Sequence, residues 1–179
     1  MAQGDSGVDD ANVDTTLANE GAEPDVGVLA GILTDGLIGA LGGFVGTSLM
    51  TVVFLVGASV GAFEMSSFGT TAELIGLDAV LGSEMVLAAG YLIFLGGGMT
   101  TWPLLFASIG SYLPGDRYAT AGVAYGFVLW TGFVLAFNVG YSGLSLALYV
   151  VISLVAHLVY GFSMGSVFDY LGDRPDTLV

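Results

Sequence analysis

Four stretches of this chain run for twenty residues or more without a charged side chain: residues 36–63, 86–112, 120–139 and 144–168. The first, GLIGALGGFVGTSLMTVVFLVGASVGAF, is typical of them. About 20 apolar residues are enough for a helix to cross the ~30 Å hydrocarbon core of a bilayer. A charge placed at mid-membrane costs about 2.5–3.5 kcal/mol on insertion scales. Only 10% of the residues are charged and 55% are hydrophobic, where a soluble domain carries about 25% charge. The expected fold is therefore all-α and integral to the membrane, a bundle of four transmembrane helices.

The segments outside the spans have distinct characters. Residues 1–25 hold seven acids and almost no large apolar side chain, too little to offset the entropy of ordering them. They read as a disordered acidic N-terminal tail. They lack the basic start and apolar stretch of a signal peptide, so the tail is expected to stay on the mature protein. Residues 26–34, VGVLAGILT, are too short to span and read as an interfacial turn or a helical lead-in. Between helices 1 and 2, residues 64–85 mix Glu64, Glu73, Asp78 and Glu84 with Leu74, Ile75, Leu77, Leu81 and Met85. That spacing predicts a short amphipathic segment at the membrane surface, lying in lipid or packed over the helix ends. Gly96, Gly97, Gly98 and Pro103 are expected to loosen or kink the second span. Pro114-Gly115 marks a tight turn. The transmembrane domain is thus expected over 26–172, followed by a short C-terminal tail at 173–179.

Charge narrows the function classes. Sixteen acids face two bases, Arg117 and Arg174, with no lysine, for a net charge of −14. Nucleic acid is excluded as a partner, because its phosphates need Lys and Arg. A polybasic grip on anionic lipid is excluded on the same ground. Self-repulsion of this size is tolerable in molar salt, where the Debye length falls to about 3 Å, and points to a halophilic archaeon with an acidic proteome. With an even number of spans, Arg117, Arg174 and the N-terminus fall on one side, which the positive-inside rule makes cytoplasmic. The expected location is the cell membrane, multi-pass, with both termini in the cytoplasm.

Small residues form the clearest motif. Gly42 and Gly46, Gly57 and Gly61, Gly122 and Gly126, and Gly161 and Gly165 are Gly-x-x-x-Gly pairs, which allow the close backbone approach that stabilises helix contacts in lipid. They serve either packing within the bundle or docking onto a larger partner. His157 is the single histidine, midway along the fourth span, and needs a hydrogen-bond partner there. Asn138, Thr100, Thr101 and Tyr160 are the candidate partners in an intramembrane polar site. A structural interhelical bond is the plain reading; a proton relay, a quinone contact or a single metal or haem ligand is the sharper one. Asp35 and Asp169 read as solvated at the interface, or as acceptors for a helix terminus or Arg117. Residues 43–57 and 126–140 match at six of fifteen positions, a hint of duplicated helix pairs.

Several chemistries lack their residues. Without lysine no retinal Schiff base forms, and without cysteine there is no disulfide or thiolate metal site. One histidine cannot supply the paired ligands of a bis-histidine haem or a haem-copper centre. Nucleotide-binding and hydrolase motifs are missing as well. No catalytic or metal site is assigned, and the chain is not expected to be an enzyme.

The Gly-rich first span, the acidic linker AELIGLDAVLG and the closing LVAHLVYGFSMGSVFDYLG resemble a family of small haloarchaeal four-helix membrane proteins of unknown function, associated with haem-copper terminal oxidases. The resemblance covers residues 36–172. It implies a non-catalytic accessory subunit of a larger complex, a respiratory terminal oxidase, supporting assembly and packing around the catalytic subunit. The implied partners are that oxidase subunit, other membrane subunits and lipid. No cofactor is expected on this chain alone, apart from haem or quinone contact through His157. The alternatives are a homo-oligomeric channel or carrier for small solutes or ions, and a membrane anchor or sensor binding one cofactor at His157.

Overall fold

A computed structural model describes residues 26–172; the expected acidic tail at 1–25 and the expected tail at 173–179 lie outside the described residues. Within them the chain is helical and without strands. Four helical stretches are long and apolar enough to cross a membrane: Val26–Ser59, Ser83–Tyr112, Tyr118–Ala136 and Gly143–Gly172. We label the helices α1 (Val26–Ser59), α2 (Gly69–Glu73), α3 (Ser83–Met99), α4 (Thr101–Ile109), α5 (Tyr118–Ala136) and α6 (Gly143–Gly172).

The first span departs from its expected bounds at both ends. It begins at Val26 rather than residue 36, because VGVLAGILT contains no proline and Thr34 turns its hydroxyl back onto Ala30 O. It ends at Ser59 rather than residue 63 because Gly61 adopts a left-handed φ of 70°. There Ala62 N donates to Gly57 O and Gly61 N to Ala58 O, the paired bonds of a Schellman cap. At 34 residues, α1 is about 50 Å long at ~1.5 Å per residue, longer than the ~30 Å core requires.

The second span is broken as its glycines and proline suggest, and the break falls at Thr100, between α3 and α4. That placement puts Pro103 in the first turn of α4, where a missing N–H is harmless. The linker is not one amphipathic helix. It consists of two 3₁₀ turns, Met65–Phe68 and Leu77–Ala79, around the short α2. Phe68 and Ala72 are fully buried, whereas Leu74, Ile75, Val80 and Met85 face outward. A Cβ on Gly90 would collide with the Phe68 carbonyl. Thr71 Oγ1 donates to Gly90 O at 2.8 Å, and the linker is thereby pinned to α3.

Helix α6 is the spine of the bundle, packed along α1 on one side and α5 on the other. The α1 contact is lined by Gly42 against Met164, Gly46 against Tyr160 and Gly57 against Ile152. In the α5 contact, Gly122 and Gly161 meet backbone to backbone, Gly126 meets the His157 carbonyl and Gly165 the Tyr118 carbonyl. Gly61 does not take part. It lies past the end of α1 with open space around it, so the pair Gly57–Gly61 is a cap and not a packing motif. The α1 start, the Arg117 turn and the α6 end share one end of the bundle, since Gly39 meets Phe168 and Gly165 meets Tyr118.

Aromatic rings fill the interior at both ends. Phe54 stacks on Phe63 at 4.2 Å and on Phe133 at 5.4 Å, and Phe133 on Phe137 at 4.2 Å. At the other end Phe106 meets Tyr125 at 5.2 Å and Phe168 at 5.6 Å. Each such pair contributes about 0.5–1.5 kcal/mol beyond area burial. Of the matched stretches 43–57 and 126–140, Gly43 and Gly126 each face the span that follows in the chain. Gly57 and Gly140 differ: one is helical and buried, the other sits in a loop at φ 94°.

Candidate functional site

Helices α3 and α5 hardly touch. Helix α3 leans on α1 and the linker, and α5 leans on α6. Where α3 approaches α5, Phe94 meets Phe133 and Phe137 with ring centroids 6.2 and 6.3 Å apart. Below these rings lies a crevice of about 590 Å³, within the ~300–1,000 Å³ range of small-molecule sites. Its walls are mostly apolar, and its inner wall carries Thr47, His157 and Tyr160. Val128, Thr131 and Gly132 at its mouth are exposed, so it opens on the outward side of α5.

The break in the second span builds the inner wall. Ending α3 at Met99 frees the Gly98 carbonyl, and Tyr160 Oη donates to it at 2.9 Å across the bundle. Tyr125 Oη donates to Trp102 O at 2.8 Å. In lipid such freed groups must find partners inside the protein. The absent side chain at Gly98 lets Thr47 Oγ1 approach so closely that a Cβ would overlap it. Thr47 is 1% exposed, and its hydroxyl has no hydrogen-bond partner.

His157 is buried, with its ring 4.6 Å from the Phe133 ring, centre to centre. Its partner is none of the four candidates. Nδ1 donates to Ser153 O, one turn back on α6, at 2.7 Å. Ser153 Oγ in turn accepts from Trp130 Nε1 at 3.0 Å and donates to Val150 O. Tyr160 shares the crevice with His157 but is committed to Gly98. Thr100 Oγ1 bonds back to Gly96 O, and Asn138 Oδ1 accepts from Gly140 N and Tyr141 N in a turn beyond α5. Neither residue lines the crevice, nor does Thr101. The expected five-residue polar site therefore divides into a crevice pair, His157 and Tyr160, and three residues elsewhere. Thr47, Ser153 and Trp130 were missed; Thr47 could have been flagged as a polar group in the middle of an uncharged span.

Asp169 is not simply solvated. Its two carboxylate oxygens accept from Tyr118 N and Ala119 N at 2.9 Å each. A carboxylate at a helix N-terminus satisfies free N–H groups and complements the helix dipole. Helix α6 thus caps α5. Thr120 Oγ1 adds a local cap on the Arg117 backbone. Among the described residues no group of three or more His, Asp or Glu side chains is placed to hold a metal ion.

No curated protein and no solved structure matches this chain. Residues 33–179, most of its length and all four spans in whole or large part, match the Family of unknown function (DUF6789), and the chain belongs to that family.

Proposed function

We propose that this protein is a non-catalytic membrane component that takes an apolar, membrane-dissolved molecule into the crevice between α3 and α5 and holds it against α6. The crevice carries the reading: about 590 Å³ with apolar walls, a mouth on the lipid-facing side and polar groups on the inner wall. A cavity open to lipid fills with something lipid-soluble, and its polar inner wall favours a molecule with a polar head over a plain acyl chain. Quinone contact through His157 falls within this class. Photo-crosslinking with a diazirine on a lipid tail tests the reading. Adducts on Met50, which is 3% exposed yet lines the crevice, support it. Adducts confined to outward residues such as Leu92 and Leu135 would refute it.

The accessory-subunit reading is favoured by a separate observation. The first turns of α1 carry Val26, Ile32, Leu33 and Leu37, all exposed. An exposed apolar helix start of this kind suits contact with a neighbouring subunit. In this reading the partner is the catalytic subunit of a haloarchaeal terminal oxidase, both chain ends are cytoplasmic, and the net charge of −14 is an adaptation to molar salt. Purification from native membranes in mild detergent at high salt tests it. Co-migration with a haem-bearing subunit supports it, and recovery alone contradicts it.

A further inference from the structure

We infer that the crevice selects molecules whose head donates a hydrogen bond: a hydroxyl on an apolar tail, as in a prenyl alcohol or a prenyl hydroquinone, over the carbonyl form of the same molecule. The inference rests on the crevice being a binding site for membrane-dissolved molecules, and it follows from an unpaired acceptor on the inner wall, Nε2 of His157.

A backbone carbonyl has no proton to give, so the 2.7 Å contact between Nδ1 of His157 and Ser153 O places the ring proton on Nδ1. In the neutral ring Nε2 is then an acceptor, and it has no hydrogen-bond partner among the described residues. The tautomer is held in place because the Ser153 carbonyl belongs to the backbone of α6 one turn before His157, fixed by the helix itself. Thr47 Oγ1 is also unpaired, but it is sealed against Gly98 and out of a ligand's reach. Tyr160 offers no spare proton, since it donates to Gly98 O.

A hydroxyl group suits this acceptor, because it can donate to Nε2 of His157. A ketone, aldehyde or quinone oxygen brings a lone pair against the lone pair of Nε2 and leaves it unpaired. The site therefore separates two molecules of equal length and apolarity by one proton, a discrimination that apolar walls cannot make. Leaving a buried polar group unpaired is what carries the difference.

The test uses the full chain in lipid nanodiscs and three competitors with one tail: farnesol, farnesal and farnesene. Each is scored by its displacement of the tail-diazirine adduct on Met50. Farnesol is expected to compete at about 3–10-fold lower concentration than farnesal, the value of one hydrogen bond. His157→Phe should abolish that preference. If no competitor displaces the probe, the binding-site reading itself fails. A matched prenyl hydroquinone and quinone identify the source of the head, and a preference in either pair supports the inference. If the competitors displace the probe equally within both pairs, the binding site stands and the hydroxyl preference is overturned. Nitrogen NMR of His157 gives a check independent of ligand and variants. An unprotonated Nε2 is expected, and a protonated Nε2 would contradict the inference.

Discussion

Gly122 and Gly161 touch backbone to backbone, and the geometry leaves no room for a methyl group on either. Gly132, ten residues along the same helix α5, faces open space. The contrast predicts opposite outcomes for one chemical change. Gly161→Ala should lower the stability of the detergent-solubilised protein by about 1–3 kcal/mol, the usual cost of overpacking. Gly132→Ala should be neutral or raise stability by up to about 1 kcal/mol, since alanine is the better helix former. Thermal unfolding followed by circular dichroism distinguishes them. Spacing separates these glycines, since Gly122 and Gly161 belong to Gly-x-x-x-Gly pairs and Gly132 to none, but it misplaces Gly61, which has the spacing and no neighbour across a gap. The same limit explains His157. Its position mid-span was plain in the sequence, and its need for a partner was plain in physics. Asn138 was a poor choice: it lies beyond the end of α5, at the level where α6 begins. His157 is fourteen residues into α6, about 20 Å further along. The carbonyl of its own preceding turn was always nearer.

At the scale of elements, the four spans were legible because uncharged runs of that length have few other fates. Their ends were less so. A single Asp35 does not stop a helix that already has nine uncharged residues behind it, and a left-handed Gly61 does stop one that still has apolar residues ahead. The break in the second span could be located approximately from Gly96–Gly98 and Pro103, but the repair of the break could not, since Tyr160 comes from another helix. Tyr160→Phe should therefore destabilise the fold by about 1–3 kcal/mol, the penalty for a buried carbonyl left unpaired. The loss should appear as a lower unfolding midpoint with the helical content unchanged. Asp169→Asn tests the cap that α6 supplies to α5. Asparagine retains one acceptor oxygen and loses the charge, so a loss of about 0.5–2 kcal/mol is expected in the same assay. Asp169→Ala should cost at least as much. If both variants unfold like the parent chain, the cap contributes nothing measurable.

At the scale of the whole molecule, the arrangement around α6 explains the crevice. Two helices pack tightly on a central one through glycine contacts, and the broken span covers the remaining side incompletely. Periodicity and composition identify which segments enter the membrane but not which pairs of them stand apart, so the crevice had no signature in the sequence. Its mouth offers a clean perturbation. Gly132 is exposed and unobstructed, so Gly132→Trp should fold and place an indole across the opening. Native mass spectrometry of the intact chain, released from its own membranes in mild detergent, compares the two directly. The parent protein should carry one apolar molecule per chain, and Gly132→Trp should have lost most of it. A bare parent chain, or equal occupancy in a folded Gly132→Trp variant, would contradict the account.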